Sequence, residues 1–478
     1  VLSTALQTAG GPKFWEIPPE VVFSGPPLPA DVADGVALYQ PFLDQYSWRV
    51  FIAVNWPACR PDSSAGGCKS GDADTQKWLG AGGDAPTVWE QWMNASDVFR
   101  DQGAKPLPWG SSHVPPECQA MAAALHSPVF TLKDGSATTH NDPALLDGYL
   151  QFDERATGPL IDQHKRWARI ESYLNKTAYD YIVGSGLYSK DGQAAFSKKG
   201  LKVDFPPSGS IETTARSVEI KVVWRILDNE ADAHRYHTAR GVFVEKSGKC
   251  SAVTVGMAAM HIMTKTPLTR ARVWSTFEHV DNLCHYVQNA DKTGYTWKSG
   301  GFCNEACMKD PTKPGCAPNV APPRGEWTPP ARPTEPGKAA PTQVTRVRPF
   351  PVGSDQINSL MKSFLGGVSE ESVWKNYELV GTQWSMPIVG DLNDSKLRQD
   401  LNIQHSGPAP QYYTPLPNSF KDSKDEYNTL GLVVPPFLAN SLIETYNQAG
   451  SSCLGCHQRA KMTDKTSADF SWLLFRAK

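Results

Sequence analysis

Apolar positions change their period along the chain, and the change separates a β-rich stretch from its surroundings. From about residue 211 the runs become short, β-branched or aromatic: 217–226, 241–245, 251–266 and 272–282 read as strands, with Pro267 as punctuation between the last two. The connections between them are too short for helical crossovers, which predicts an antiparallel sheet. Upstream, Trp167, Ile170, Tyr173, Leu174, Ala178 and Tyr181 recur at three-to-four spacing, which predicts a helix over 166–183 ended by Gly184 and Gly186. Residues 88–93 read as the opening of a short amphipathic helix, and 47–56 are apolar and aromatic enough to form a buried element. A helix near 355–366 and a strand over 378–388 are expected further on.

Pro and Gly fill the gaps. The first forty residues are expected to wrap the surface, 60–88 to be loop, and 311–351, with a dozen prolines, to be an extended connector. The fold class expected is α+β: an antiparallel, β-rich core with peripheral helices and long loops. Three parts follow: a main body over 1–310, the connector over 311–352, and a C-terminal segment over 353–478 packed on the body. No internal repeat is visible.

Composition adds bounds. The 478 residues are 40% hydrophobic and 20% charged, enough to bury a sizeable core. A net charge of -2, from 47 basic and 49 acidic residues, points away from nucleic acid or an anionic membrane surface as partner. No apolar run reaches the roughly 18–20 residues of a membrane span. Val1-Leu2-Ser3-Thr4 has no signal-peptide character, so the numbering is expected to begin at a mature chain.

The chemistry concentrates at Cys453-Leu454-Gly455-Cys456-His457. Cys-x-x-Cys-His is the attachment pattern of a c-type haem. Two thiols at that spacing can add to the two vinyl groups of one porphyrin, and the adjoining imidazole then ligates the iron as proximal ligand. Zinc would need a second ligand pair at similar spacing, and none follows. One covalently attached haem c, held by Cys453, Cys456 and His457, is therefore the expected cofactor. Eight cysteines remain: Cys59, Cys68, Cys118, Cys250, Cys284, Cys303, Cys307 and Cys316. An even remainder in loop-like sequence predicts up to four disulfides, with Cys59–Cys68 the readiest pair. The alternative is a metal site at Cys303, Cys307 and Cys316. Disulfides and covalent haem agree on a periplasmic or extracellular location.

Only twenty-one residues follow His457, and Met462 is five residues on, on the proximal side. This excludes the small cytochrome c arrangement, whose distal Met comes after an early haem motif. The body upstream should therefore cover the haem. Val255–Met263 is the richest source of a distal ligand. Alternation places Met257, Ala259, His261 and Met263 on one face of a strand, and His261 is the candidate sixth ligand. His279, His234 and His237 are rivals. Glu278, His279 and Asp281 could instead form an acid/base cluster, but alternation separates Glu278 from the other two.

Three phrases carry a resemblance: Ser47-Trp48…Phe51…Asn55-Trp56-Pro57, the run Trp274-Ser275-Thr276-Phe277-Glu278-His279-Val280-Asp281-Asn282, and Leu438-Ala439-Asn440…Glu444-Thr445-Tyr446…Ser451-Ser452-Cys453-Leu454-Gly455-Cys456-His457. The chain resembles a poorly characterised group of large exported bacterial proteins with a single C-terminal c-type haem site. The resemblance implies one extended architecture rather than a detachable cytochrome domain, and it supplies no substrate. No phosphate loop, His-Glu-x-x-His or Gly-x-Ser-x-Gly motif is present, and Gly184-Ser185-Gly186 lacks the rest of a dinucleotide fingerprint. Asp391-Leu392-Asn393-Asp394 could hold calcium, although solvated turns are commoner. Electron transfer with an unidentified redox partner is the leading expectation. A peroxidase- or oxygenase-like haem enzyme with an open distal site is the alternative, and a haem sensor or binding protein the third.

Overall fold

Eleven strands follow one another in the described chain: β1 (Met93–Asn94), β2 (Val129–Leu132), β3 (Arg169–Leu174), β4 (Val218–Ile226), β5 (Thr238–Val244), β6 (Cys250–Thr264), β7 (Val273–His279), β8 (His285–Gln288), β9 (Tyr295–Lys298), β10 (Tyr377–Met386) and β11 (Leu432–Val434). The structure is a computed structural model. It describes residues 36–59, 71–74, 77, 79, 86–125, 129–132, 158–206, 216–228, 230–231, 233–244, 249–265, 272–288, 294–323, 332–351, 353–368, 372–386, 432–435 and 437–478. Nine of the strands form one sheet, with the path β1-β3-β4-β6-β7-β10-β11 and with β5 and β2 off the first half of β6. β8 and β9 form a separate hairpin. All neighbours are antiparallel except β2 and β5, which run parallel. This is the β-rich antiparallel α+β core that the period change predicts.

β6 organises the sheet because it is long enough to pair twice along one edge. Its first half receives β5, its second half receives β7, and β4 runs along its other edge. From Met257 to Thr264 each of its residues is buried, so both faces of the sheet must be covered.

One face is covered by helices α1 (Val36–Val54) and α4 (Ser354–Val368), the two others of note being α2 (Lys176–Gly184) and α3 (Lys190–Lys198). The apolar stretch 47–56 is the second half of α1 and the turn beyond it. Phe51 stacks on Phe277 of β7 with ring centroids 4.1 Å apart, and Trp48 meets the same ring edge-on at 5.1 Å. Each such ring contributes about 1.5–3 kcal/mol by leaving water. Small hydroxyls let the helix approach closely: Ser47 Oγ lies 2.6 Å from both Ser275 Oγ and Thr382 Oγ1. The other face carries Glu219, Lys221, His261, Met263 and Trp274, and the C-terminal segment lies over it.

Three expectations are corrected. The stretch 166–183 is not one helix. Arg169–Leu174 is strand β3, paired to β4, and only Lys176–Gly184 is helical. Tertiary pairing overrides the helical spacing there. Asn175 marks the change, its Oδ1 accepting the Ala178 amide at 3.1 Å as an N-cap. Residues 88–93 form a 3-10 turn over Trp89–Gln91 and then enter β1. The third correction concerns β6, where the register slips between Met257 and Ala259 against Val223 and Trp224. The extra residue turns Met257 to the helix-covered side with Met260 and Ile262, away from Ala259, His261 and Met263.

The described parts of 311–351 contain neither helix nor strand. They are tied down nonetheless: Thr342 donates its amide to Ile161 and Val344 to Phe302. Disulfides join Cys118–Cys250, Cys284–Cys303 and Cys307–Cys316, and Cys59 is disulfide-bonded as well. Cys68, its expected partner, lies outside the described residues, as do residues 1–35 and the Asp391–Asp394 loop. With Cys303, Cys307 and Cys316 in disulfides, no thiolate is left for a metal site among them. No helix among the described residues is long and apolar enough to cross a membrane.

Candidate cofactor site at the C-terminal peptide

The Cys-x-x-Cys-His peptide forms one short helix, α5 (Cys453–His457). Ser452 caps it, its Oγ accepting the Gly455 amide at 3.1 Å. Gln383 of β10, fully buried, holds the same end: its Oε1 accepts the Leu454 amide at 2.8 Å, and its Nε2 donates to Pro435 O at 2.7 Å. The preceding turn is pinned to β7. Asn440 Nδ2 donates to Thr276 Oγ1 at 2.8 Å and to Phe277 O at 3.1 Å, and Glu278 Oε1 accepts the Ser441 amide.

Cys453 and Cys456 are the free cysteines of the described chain. Burial, with the Glu444 charge adding to it, pushes the Cys453 thiol well up and the Cys456 thiol up to about 11. Both are therefore thiols, not thiolates, at neutral pH. Burial pushes His457 down to about 3, so its ring is neutral. Its Nδ1 sits 2.8 Å from the Phe470 carbonyl oxygen, which can only accept. The proton is thus on Nδ1, and Nε2 keeps its lone pair. Backbone strain supports that carbonyl: Asp469 and Phe470 have φ of 46° and 65°, the left-handed region. Asp469 is held there by Lys265 Nζ at 2.8 Å and by donation from Arg272 Nε to its carbonyl at 3.2 Å.

His457 and His261 line the same pocket, about 660 Å³ including solvent at its mouth, together with Lys221, Met263, Trp274 and Arg476. The His457 ring lies 4.1 Å from the Trp274 ring, tilted by 52°. His261 enters from β6, opposite Lys221 of β4 and Thr276 of β7. Burial drives its pKa well below the usual value, with Lys221 and His457 pushing the same way. Its Nε2 is buried and makes no hydrogen bond. Glu444 Oε2 comes to 3.6 Å, too far for a hydrogen bond and opposite a neutral ring. Burial also raises Glu444 to about 7, against the pull of Lys221.

The three rival histidines lie elsewhere. His237 Nε2 is 2.8 Å from Glu90 Oε1, and its ring stacks on Trp374. His234 lies in an exposed turn, with Nδ1 2.9 Å from Ala231 O. His279 stacks on Tyr236 at 3.7 Å. Glu278 faces the opposite way, toward Ser441 and Arg346, while Asp281 is bound by Arg235. The acid/base cluster is therefore not assembled. Met462 packs with Met93 and Phe99, away from the pocket.

Two free thiols, a neutral imidazole with Nε2 in reserve and a second imidazole with an orphaned buried Nε2 form a donor set that fits a covalent haem. Sequence reasoning missed Lys221, Gln383, Glu444, Phe470 and Arg476. A signal existed for Lys221, since Glu219 and Lys221 alternate with apolar residues in the first half of β4. Asp162, His164 and Glu230 also come within ligating distance of one another. Arg225 already claims Glu230 at 2.9 Å, and Arg166 bonds the same carboxylate. No family model matches the chain, and neither a curated protein nor a solved structure is found to be similar to it.

Proposed function

We propose that the chain is a mono-haem c-type protein of the periplasm or cell exterior that transfers single electrons. When bound, the haem supplies a one-electron couple at its iron. Cys453 and Cys456 would hold the porphyrin, each adding its S–H across one vinyl group so that nothing leaves. His457 would offer its Nε2 to the iron, its ring oriented by Phe470 and by the Trp274 ring. The three disulfides support an oxidising compartment.

The observation that carries electron transfer over catalysis is His261. A buried imidazole nitrogen without a partner, in the pocket of His457, suits a closed sixth position rather than an open one. Acid-acetone extraction should leave the colour with the protein, and the pyridine haemochrome should show the c-type band. Absorption spectra should be low-spin in both oxidation states, with carbon monoxide binding slowly or not at all. Extractable haem would sink the attachment. A high-spin ferric form with rapid carbon monoxide binding would turn the assignment to a haem oxidoreductase.

A further inference from the structure

Lys221 has no role in the scheme above, yet it stands among the groups that define it. It is the direct cross-strand neighbour of His261 in the β4–β6 register, so the two side chains leave the sheet on one face. Opposite residues in such a pair hold their Cβ atoms about 4.5–5.5 Å apart. Lys221 lines the pocket with His261 and His457, and is only half-buried. Among the described residues its amine makes neither a hydrogen bond nor an ion pair. That contrasts with its neighbours on the same face: Glu219 is bound by Arg272 at 2.8 Å and by Ser471 at 2.9 Å. An amine on a flexible four-carbon stem, once deprotonated, is a nitrogen donor like imidazole.

We propose that Lys221 is a second axial ligand of this pocket, taking the sixth position of the iron whenever His261 leaves it. The proposal rests on the haem reading. In the exchange the His261 nitrogen would give up the iron, Nζ would take its place, and the ammonium proton would leave to solvent. No electron moves. The device would keep small ligands out whenever the His261 side chain turns away. Met263 lines the same pocket and is the competing donor.

The test uses the holoprotein, with spin state and carbon monoxide binding as readouts. Lys221→Arg keeps the charge but cannot ligate, and it should leave the wild-type low-spin spectrum intact, which also checks folding. His261→Ala should remain low-spin, with altered electron paramagnetic resonance g values and slow carbon monoxide binding. The double variant His261→Ala/Lys221→Arg should become high-spin and bind carbon monoxide at least tenfold faster. If His261→Ala alone is already high-spin, Lys221 does not reach the iron and the proposal fails. If the double variant stays low-spin, Met263 or another donor is the reserve ligand, and it fails equally. A wild-type chain without covalent haem would overturn the haem reading itself, a result distinct from either.

Discussion

The ring of His457 is tied to the backbone of Phe470 by a hydrogen bond of 2.8 Å, and the residue supplying that carbonyl is in the left-handed region with φ of 65°. A bulky residue there costs about 1–3 kcal/mol, so something must hold it. Asp469 does, through Lys265 on β6's end and Arg272 at the start of β7. The fold thus uses a buried ion pair to aim the imidazole of the C-terminal peptide.

Asp469→Ala should therefore be costly. It takes one of two carboxylates from the buried Lys265 ammonium, leaving Asp204 at 3.0 Å, removes the acceptor of the Phe205 amide and releases the turn that carries Phe470. With Asp204 still on Lys265, the cost is about 1–3 kcal/mol for the buried donors that lose their acceptor. Urea unfolding should register a loss of that size, with Asp469→Asn milder because it keeps an acceptor. A loss below about 1 kcal/mol would show that the turn holds without the anion.

Gln383→Ala tests the other end of the peptide. It leaves the Leu454 amide and the Pro435 carbonyl without their side-chain partner in a buried place. The expected cost is about 1–3 kcal/mol per stranded group. Amide hydrogen exchange at 453–456 should quicken more than exchange in β6. Uniform quickening across both would mean that Gln383 stabilises the sheet rather than the peptide.

The three sequence phrases that carried the resemblance turn out to meet at β7. Phe277 takes Phe51 of the first phrase on one side, and Thr276, next to it, takes Asn440 of the third on the other. The sheet itself was legible because β-branched runs and short connections are local signals. The strand at 169–174 was not, because its apolar residues also satisfy a helical spacing and only pairing with β4 decides between them. Met257 was misplaced for a similar reason: a bulge is set by two strands together, and alternation read along one strand cannot see it. Cys453, Cys456 and His457 were readable from spacing. Their supports, Gln383 and Phe470, are set by contacts across 71 and 13 residues.

The disulfides should differ in weight. Cys118–Cys250 closes a separation of 132 residues and Cys307–Cys316 one of 9. Loop-closure entropy alone gives about 5 kcal/mol for the first and about 2.5 for the second. Paired Cys→Ala variants should follow that order in urea unfolding. The reverse order would show that the short loop at 307–316 contributes through native contacts and not through the unfolded chain.

Glu378 should make stability fall as pH rises from mildly acid to neutral, against the opposite slope of His261, His279 and His457, which are buried neutral. Burial pushes the Glu378 carboxyl up to about 7, against the pull of an Arg346 shared with Glu278 and with Glu278 itself adding repulsion. A carboxyl that titrates higher folded than unfolded holds its proton more tightly in the folded chain. Its contribution is then full below the unfolded value of 4.5 and is lost as pH climbs to about 7. The loss is about 3.5 kcal/mol at most, since a tenfold difference in proton affinity between the two states is worth about 1.4 kcal/mol. Glu444, raised to about 7 by the same cause, adds a slope of the same sign. Glu378→Gln mimics the protonated form, so it should leave stability at pH 5 nearly unchanged and raise it at pH 8. The stability difference between variant and wild type should therefore widen from pH 5 to pH 8. Unfolding free energies measured at both pH values decide the matter: a difference that does not change with pH would show that this carboxyl ionises freely in the folded protein.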